Sequence, residues 1–192
     1  MELPLSLNIA IGFAPYVAFF IGMRLVSVQV GLWAALAVAI LNALRGLAAG
    51  ASIKLLEIGA VLLFAALAGF TTVTHFDWSV MSVRLAVDLG LLAIVLVSLA
   101  VGQPFTLQYA RERAAKETWG HPLFKSINRN ITWAWATAFA VLVAAHAAVV
   151  LGMMPLAADI AINLLALAGA IRFSTWYPGY ARRKAGLATA AG

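Results

Sequence analysis

The sequence predicts an all-α protein, a polytopic transmembrane bundle of six helices with a cytoplasmic amphipathic surface helix. Three observations predict it. Hydrophobic residues make up 64% of the 192 residues and charged residues only 10%, far outside soluble usage. Six apolar blocks run Leu7–Met23, Val28–Leu44, Leu55–Val73, Leu85–Gly102, Ile131–Leu151 and Leu156–Ile171, each close to the ~20 residues that cross a hydrocarbon core. The basic residues fall almost entirely in alternate gaps between these blocks.

The leading residues Met1–Asn8 carry Glu2 and no Lys or Arg, so the first block reads as a retained span rather than a signal peptide. Arg24 follows the first block, Arg45 and Lys54 the second, and Arg84 the third. Arg111, Arg113, Lys116, Lys125 and Arg129 follow the fourth, nothing basic follows the fifth, and Arg172, Arg182, Arg183 and Lys184 follow the sixth. With six spans, eleven basic residues share one side with both termini and two lie on the other. Basic flanks stay in the cytoplasm, so both termini are expected there. Topology thus accounts for the net charge of +6, and nucleic acid is disfavoured as a partner.

The chain is expected to form one membrane domain over residues 1–180, with a cytoplasmic interfacial connection at 103–130 and a loose basic, Ala/Gly-rich tail at 181–192. Between Phe105 and Trp119 the connection alternates apolar Phe105, Leu107, Tyr109 and Trp119 with charged Arg111, Glu112, Arg113, Lys116 and Glu117. That mixture predicts a basic amphipathic helix on the membrane surface, with Arg111, Arg113, Lys116 and Trp119 meeting anionic lipid headgroups. Gly120 and Pro122 end it, and a short helix over about Leu123–Arg129 leads into the fifth span.

Ionisable residues inside spans are where function is sought first. Asp88, Glu57, Arg84, His146, Asp159 and His75 form the candidate ion, proton or polar set. The plain reading is structural. Glu57 and Asp159 fall in first helical turns, where the helix dipole favours a carboxylate by about 0.3–1 kcal/mol. Lys54 lies within reach of Glu57, and Arg84 and Asp88 are spaced i, i+4. Asp88 fits this reading least, because an uncharged apolar run from Leu89 to Val101 follows it. His75, Asp77, Asp88, His146 and Asp159 all fall at the outer level of the predicted topology. A mixed His and carboxylate site there is the sharper reading. No HExxH or similar ligand spacing exists, so no metal or cofactor is assigned. The absence of cysteine removes thiolate sites and thiol catalysis.

Two packing signals remain. Ala136, Ala140, Ala144 and Ala148 form a small-residue ridge on the fifth span, which reads as an intramolecular helix contact. Trp133, Trp135, Trp176, Tyr177 and Tyr180 read as inner interfacial anchors, with Phe76 and Trp78 as outer ones. The openings Glu57-Ile58-Gly59-Ala60-Val61-Leu62-Leu63 and Asp159-Ile160-Ala161-Ile162-Asn163-Leu164-Leu165 match at acid, Ile, small and Leu-Leu positions. They hint at an inverted duplication of the transporter kind.

Residues 55–140 carry His75-Phe76-Asp77-Trp78, Arg84, Gln103-Pro104-Phe105-Thr106-Leu107-Gln108-Tyr109-Ala110-Arg111-Glu112, Pro122-Leu123-Phe124, Asn128 and Trp133. On these residues the chain resembles a group of uncharacterised bacterial membrane proteins with a Pro-Phe-Thr-Leu-Gln-Tyr-Ala-Arg-Glu segment. It resembles more distantly the intracellular septation protein A family, from whose pattern Asp88 departs. The resemblance implies a multi-pass protein of the bacterial inner membrane with a role in the cell envelope or division, contacting lipid and other membrane proteins. It implies no reaction. The expected function is therefore non-enzymatic, with a small proton-coupled transporter or channel using Asp88 and Glu57 as the alternative.

Overall fold

A computed structural model describes residues 5–48, 50, 52, 54–112 and 114–186, with side chains from residue 12 onward. Seven α-helices occur among the described residues: α1 (Leu5–Leu25), α2 (Val28–Ala48), α3 (Leu55–Thr74), α4 (Val80–Ala100), α5 (Phe105–Arg111), α6 (Pro122–Val150) and α7 (Leu156–Lys184). A single 3-10 turn at Lys116–Thr118 lies between α5 and α6. Five helices (α2, α3, α4, α6 and α7) are long and apolar enough to cross a membrane, and α1 has a shorter apolar stretch, Gly12–Leu25. Large apolar side chains cover the outside: Val17, Leu41, Leu62, Leu96, Leu164 and Leu165 are all exposed. A water-facing surface would not carry so continuous an apolar coat. By the length and composition of its helices this is a multi-pass membrane protein.

Local chemistry ends the helices where the sequence demands. The Ser27 hydroxyl accepts the Val30 N–H at the start of α2, the Ser79 hydroxyl accepts the Ser82 N–H in α4, and His121 Nδ1 accepts the Leu123 N–H before Pro122 in α6. Gly102 and Gly152 take left-handed φ values of 68° and 70° after α4 and α6. There the following N–H groups turn back onto the carbonyls of Ser98 and Ala148. His75 fills the same position after α3 at φ 52°, a conformation unusual for a residue with a Cβ.

The chain forms two compact units, Met1–Ile94 and Val95–Gly192. The boundary between them runs through α4.

In the first unit α1 and α2 form a close hairpin. A Cβ on Gly22 would stand 2.8 Å from the Gly31 Cα, and one on Gly31 would stand 2.7 Å from the Phe19 carbonyl oxygen. Tyr16, Phe19 and Phe64 are buried together, with the Tyr16 and Phe64 rings edge-on at 5.2 Å. Leu63 covers Gly90 and Ile94 covers Gly59, which sets α3 beside α4.

In the second unit α6 and α7 form an antiparallel pair. Asn130 Nδ2 donates to the Tyr177 hydroxyl, Trp135 Nε1 to the Ser174 hydroxyl, and Asn163 Nδ2 lies 3.3 Å from His146 Nε2. These three rungs keep one register along both helices. The α6 helix absorbs the short helix expected at Leu123–Arg129 and runs unbroken from Pro122. The α7 helix continues past Ile171 to Lys184, so the first residues of the tail are helical rather than loose; residues 187–192 lie outside the described residues.

The surface helix expected from Phe105 to Trp119 is only seven residues long, ending at Arg111. Phe105, Thr106, Leu107 and Tyr109 are all buried. Phe105 meets the Trp135 ring edge-on, and the Thr106 hydroxyl contacts the Asn128 carbonyl and the Thr132 hydroxyl of α6. The apolar side of α5 is therefore used on α6. Arg113 lies outside the described residues.

Candidate functional sites

In the first unit, Lys54 and Glu57 sit at the N-terminus of α3 and are both buried. Lys54 Nζ lies 3.2 Å from Glu57 Oε1, and the Lys54 backbone N–H donates to Glu57 Oε2 at 3.3 Å. One carboxylate thus neutralises a cation and satisfies an open backbone donor of the first turn. The end of α2 closes over it, since a Cβ on Gly46 would lie 3.8 Å from Glu57 Oε2. Asp88 is 4% exposed on α4, on the helix face that also buries Val83, Val87, Leu91 and Val95. Arg84, one turn earlier, sets its guanidinium 5.3 Å from the centre of the Phe20 ring of α1. His75 and Asp77 are exposed beyond the end of α3.

In the second unit, His146 from α6 and Asp159 from α7 are 3% and 0% exposed. His146 Nε2 lies 3.3 Å from Asp159 Oδ2 and 3.3 Å from Asn163 Nδ2, while Asn163 Nδ2 donates to Asp159 Oδ1 at 3.1 Å. The two contacts at Nε2 need opposite protonation. A bare Nε2 accepts from the Asn163 amide; a protonated one donates to Asp159 Oδ2. Asp159 Oδ2 has no hydrogen-bond donor when Nε2 is bare. A proton on Nε2 supplies it, so the protonation of that ring nitrogen decides whether His146 bonds Asn163 or Asp159. Asn163 is absent from the candidates read from sequence, although its i, i+4 spacing from Asp159 places both on one face of α7.

Also in the second unit, a crevice of about 370 Å³ opens between the end of α4, α5 and the first turns of α6. Arg111, Lys125 and Arg129 line it with Gln103 and Ser126, together with Leu99, Pro104 and Leu107. Arg111 Nη1 donates to Gln103 Oε1 at 3.1 Å, and the guanidinium carbon lies 5.8 Å from the centre of the Trp119 ring. Trp119 in turn donates its indole N–H to the Ala114 carbonyl. Lys116 is exposed on the 3-10 turn. A smaller recess of about 180 Å³ lies between Thr118, His121, Leu123, Phe124, Ile127 and Arg182.

The structure thus joins His146 to Asp159 and Arg111 to Trp119, and leaves His75 exposed at a helix end. Among the described residues no three His, Asp or Glu side chains converge as metal ligands. The alanine ridge is packed only at its start: Ala136 is buried, Ala140 and Ala144 are exposed, and the large buried side chains of α6 are Asn128, Ile131, Thr132, Trp135, Phe139, Leu142 and His146. Trp135 is likewise a core residue and not an anchor, packed on Phe105 and Phe139. Two residues along a helix are ~200° apart, so Trp133 and Trp135 face opposite ways. Comparison with family models, with curated proteins and with solved structures gave no match.

Proposed function

We propose that this chain is a non-enzymatic protein of the bacterial inner membrane, with six spans and both termini cytoplasmic. Its role is to contact anionic lipid and other membrane proteins in the upkeep or division of the cell envelope. The observation that carries the reading is the folded basic segment 103–130. Its apolar side is buried on α6, while Lys116, Lys125 and Arg129 stay exposed and Arg111 stacks by Trp119. Cations on a rigid element beside spans are suited to an anionic leaflet, where each contributes about 1 kcal/mol. The envelope role is what the sequence reading of residues 55–140 implies, through their likeness to uncharacterised bacterial membrane proteins and, more distantly, to the septation family.

The test is hydrogen exchange of residues 103–120 in nanodiscs of phosphatidylglycerol against nanodiscs of phosphatidylcholine. Slower exchange in the anionic discs, reversed by salt and lost when Arg111, Arg113 and Lys116 are neutralised, is expected. Equal exchange in both discs sinks the lipid contact. Unchanged cell length and division after deletion of the chain sinks the envelope role.

A second reading, a small proton-coupled transporter or channel, is favoured by the buried acids. Sequence alone points to Asp88 and Glu57 as its carriers; with Glu57 held by Lys54, Asp88 and the His146–Asp159 pair are better placed to exchange protons. Asp88→Asn or Asp159→Asn in proteoliposomes is then expected to abolish proton flux with folding retained. Flux equal to that of the unaltered protein removes the named acid from the path.

A further inference from the structure

We infer that the crevice between α5 and α6 binds a single phosphate group through Arg111, Lys125 and Arg129. Three cations from two helices converge on it, and no acidic residue lines it. Lys125 and Arg129 stand one turn apart on the same face of α6, where like charges repel. They also sit near the N-terminal end of that helix, whose dipole adds further positive potential and where no acidic residue occupies the first turn. An anion relieves all of these costs together. Arg111 is set in advance for one: Gln103 holds one Nη, Trp119 lies beside the guanidinium, and its Nε is buried with no hydrogen-bond partner. The Ser126 hydroxyl adds a neutral donor to the lining. Guanidinium and ammonium groups arranged around one cavity suit a tetrahedral phosphate, which accepts at several oxygens at once.

Leu99, Pro104 and Leu107 add apolar surface to the same lining. The crevice lies just past the end of α4 and just before the apolar run of α6 begins at Ile131. That is the depth of a lipid headgroup beside a span, so a lipid phosphate and a free phosphate share the same three cations. The inference rests on the lipid-contact reading in one respect: it makes a single crevice, and not the basic segment as a whole, the point of contact.

The experiment uses the full chain in detergent. Dioctanoyl phosphatidic acid is titrated with native mass spectrometry as readout, and inorganic phosphate is titrated by calorimetry. One saturable equivalent is expected, weakened by about tenfold or more in Lys125→Gln and in Arg129→Gln and unchanged in Lys184→Gln, an exposed cation outside the crevice. Both crevice positions are exposed, so their replacement leaves the fold intact. Displacement of the lipid by millimolar inorganic phosphate identifies a free-phosphate site; lipid binding that phosphate does not displace identifies a headgroup site. Absence of saturable binding by either probe overturns the inference, as does equal weakening by Lys184→Gln and Arg129→Gln. If the crevice binds while exchange of residues 103–120 ignores lipid charge, the wider lipid contact fails and the crevice stands.

Discussion

Lys54 and Glu57 show what a buried pair does at a helix end. Each neutralises the other, and Glu57 also receives the Lys54 backbone N–H. Removing one partner leaves a buried uncompensated charge, a loss of about 3–5 kcal/mol. Glu57→Ala should therefore lower the melting temperature in detergent sharply, and Lys54→Met combined with Glu57→Met should recover most of the loss. A double variant as unstable as the single one contradicts this account. The pairing was legible because the residues are three apart at a helix start. The contact between His146 and Asp159 was not, because they lie on different helices and only the α6–α7 register joins them.

At the scale of the helix, α1 and α2 depend on bare backbone at their crossing. A methyl on Gly31 meets the Phe19 carbonyl and the Met23 nitrogen, backbone atoms that cannot rotate away. Gly31→Ala should cost about 1–3 kcal/mol, the range for overpacking. A Cβ on Gly69 in α3 would meet nothing within 4 Å, so Gly69→Ala should be neutral or gain up to about 1 kcal/mol from helix propensity. Denaturant titration of the two variants checks both, and equal effects would falsify the close-approach argument. The positions of the five long apolar helices were readable from hydropathy alone. The length of α5 was not, since alternating apolar and charged residues suit a lipid surface and a protein surface equally, and α6 supplies the second.

For the whole molecule, the proposed six spans would place both termini on one side and the turn between α6 and α7 on the other. The chain has no cysteine, so single cysteines report cleanly. Met153→Cys, 77% exposed in that turn, should react with an impermeant maleimide in intact cells, and Lys184→Cys only after lysis. Labelling of both in intact cells rejects the six-span orientation. The sequence by itself determined the helical class, the membrane-spanning character of five apolar helices and the charge asymmetry, because these follow from transfer free energies summed over short stretches of chain. Only the tertiary structure decided which polar groups meet. Partner choice depends on helix rotation and register, set by packing between residues far apart in sequence. That packing turned Trp135 inward, closed His146 on Asp159 and gathered Arg111, Lys125 and Arg129 around one crevice.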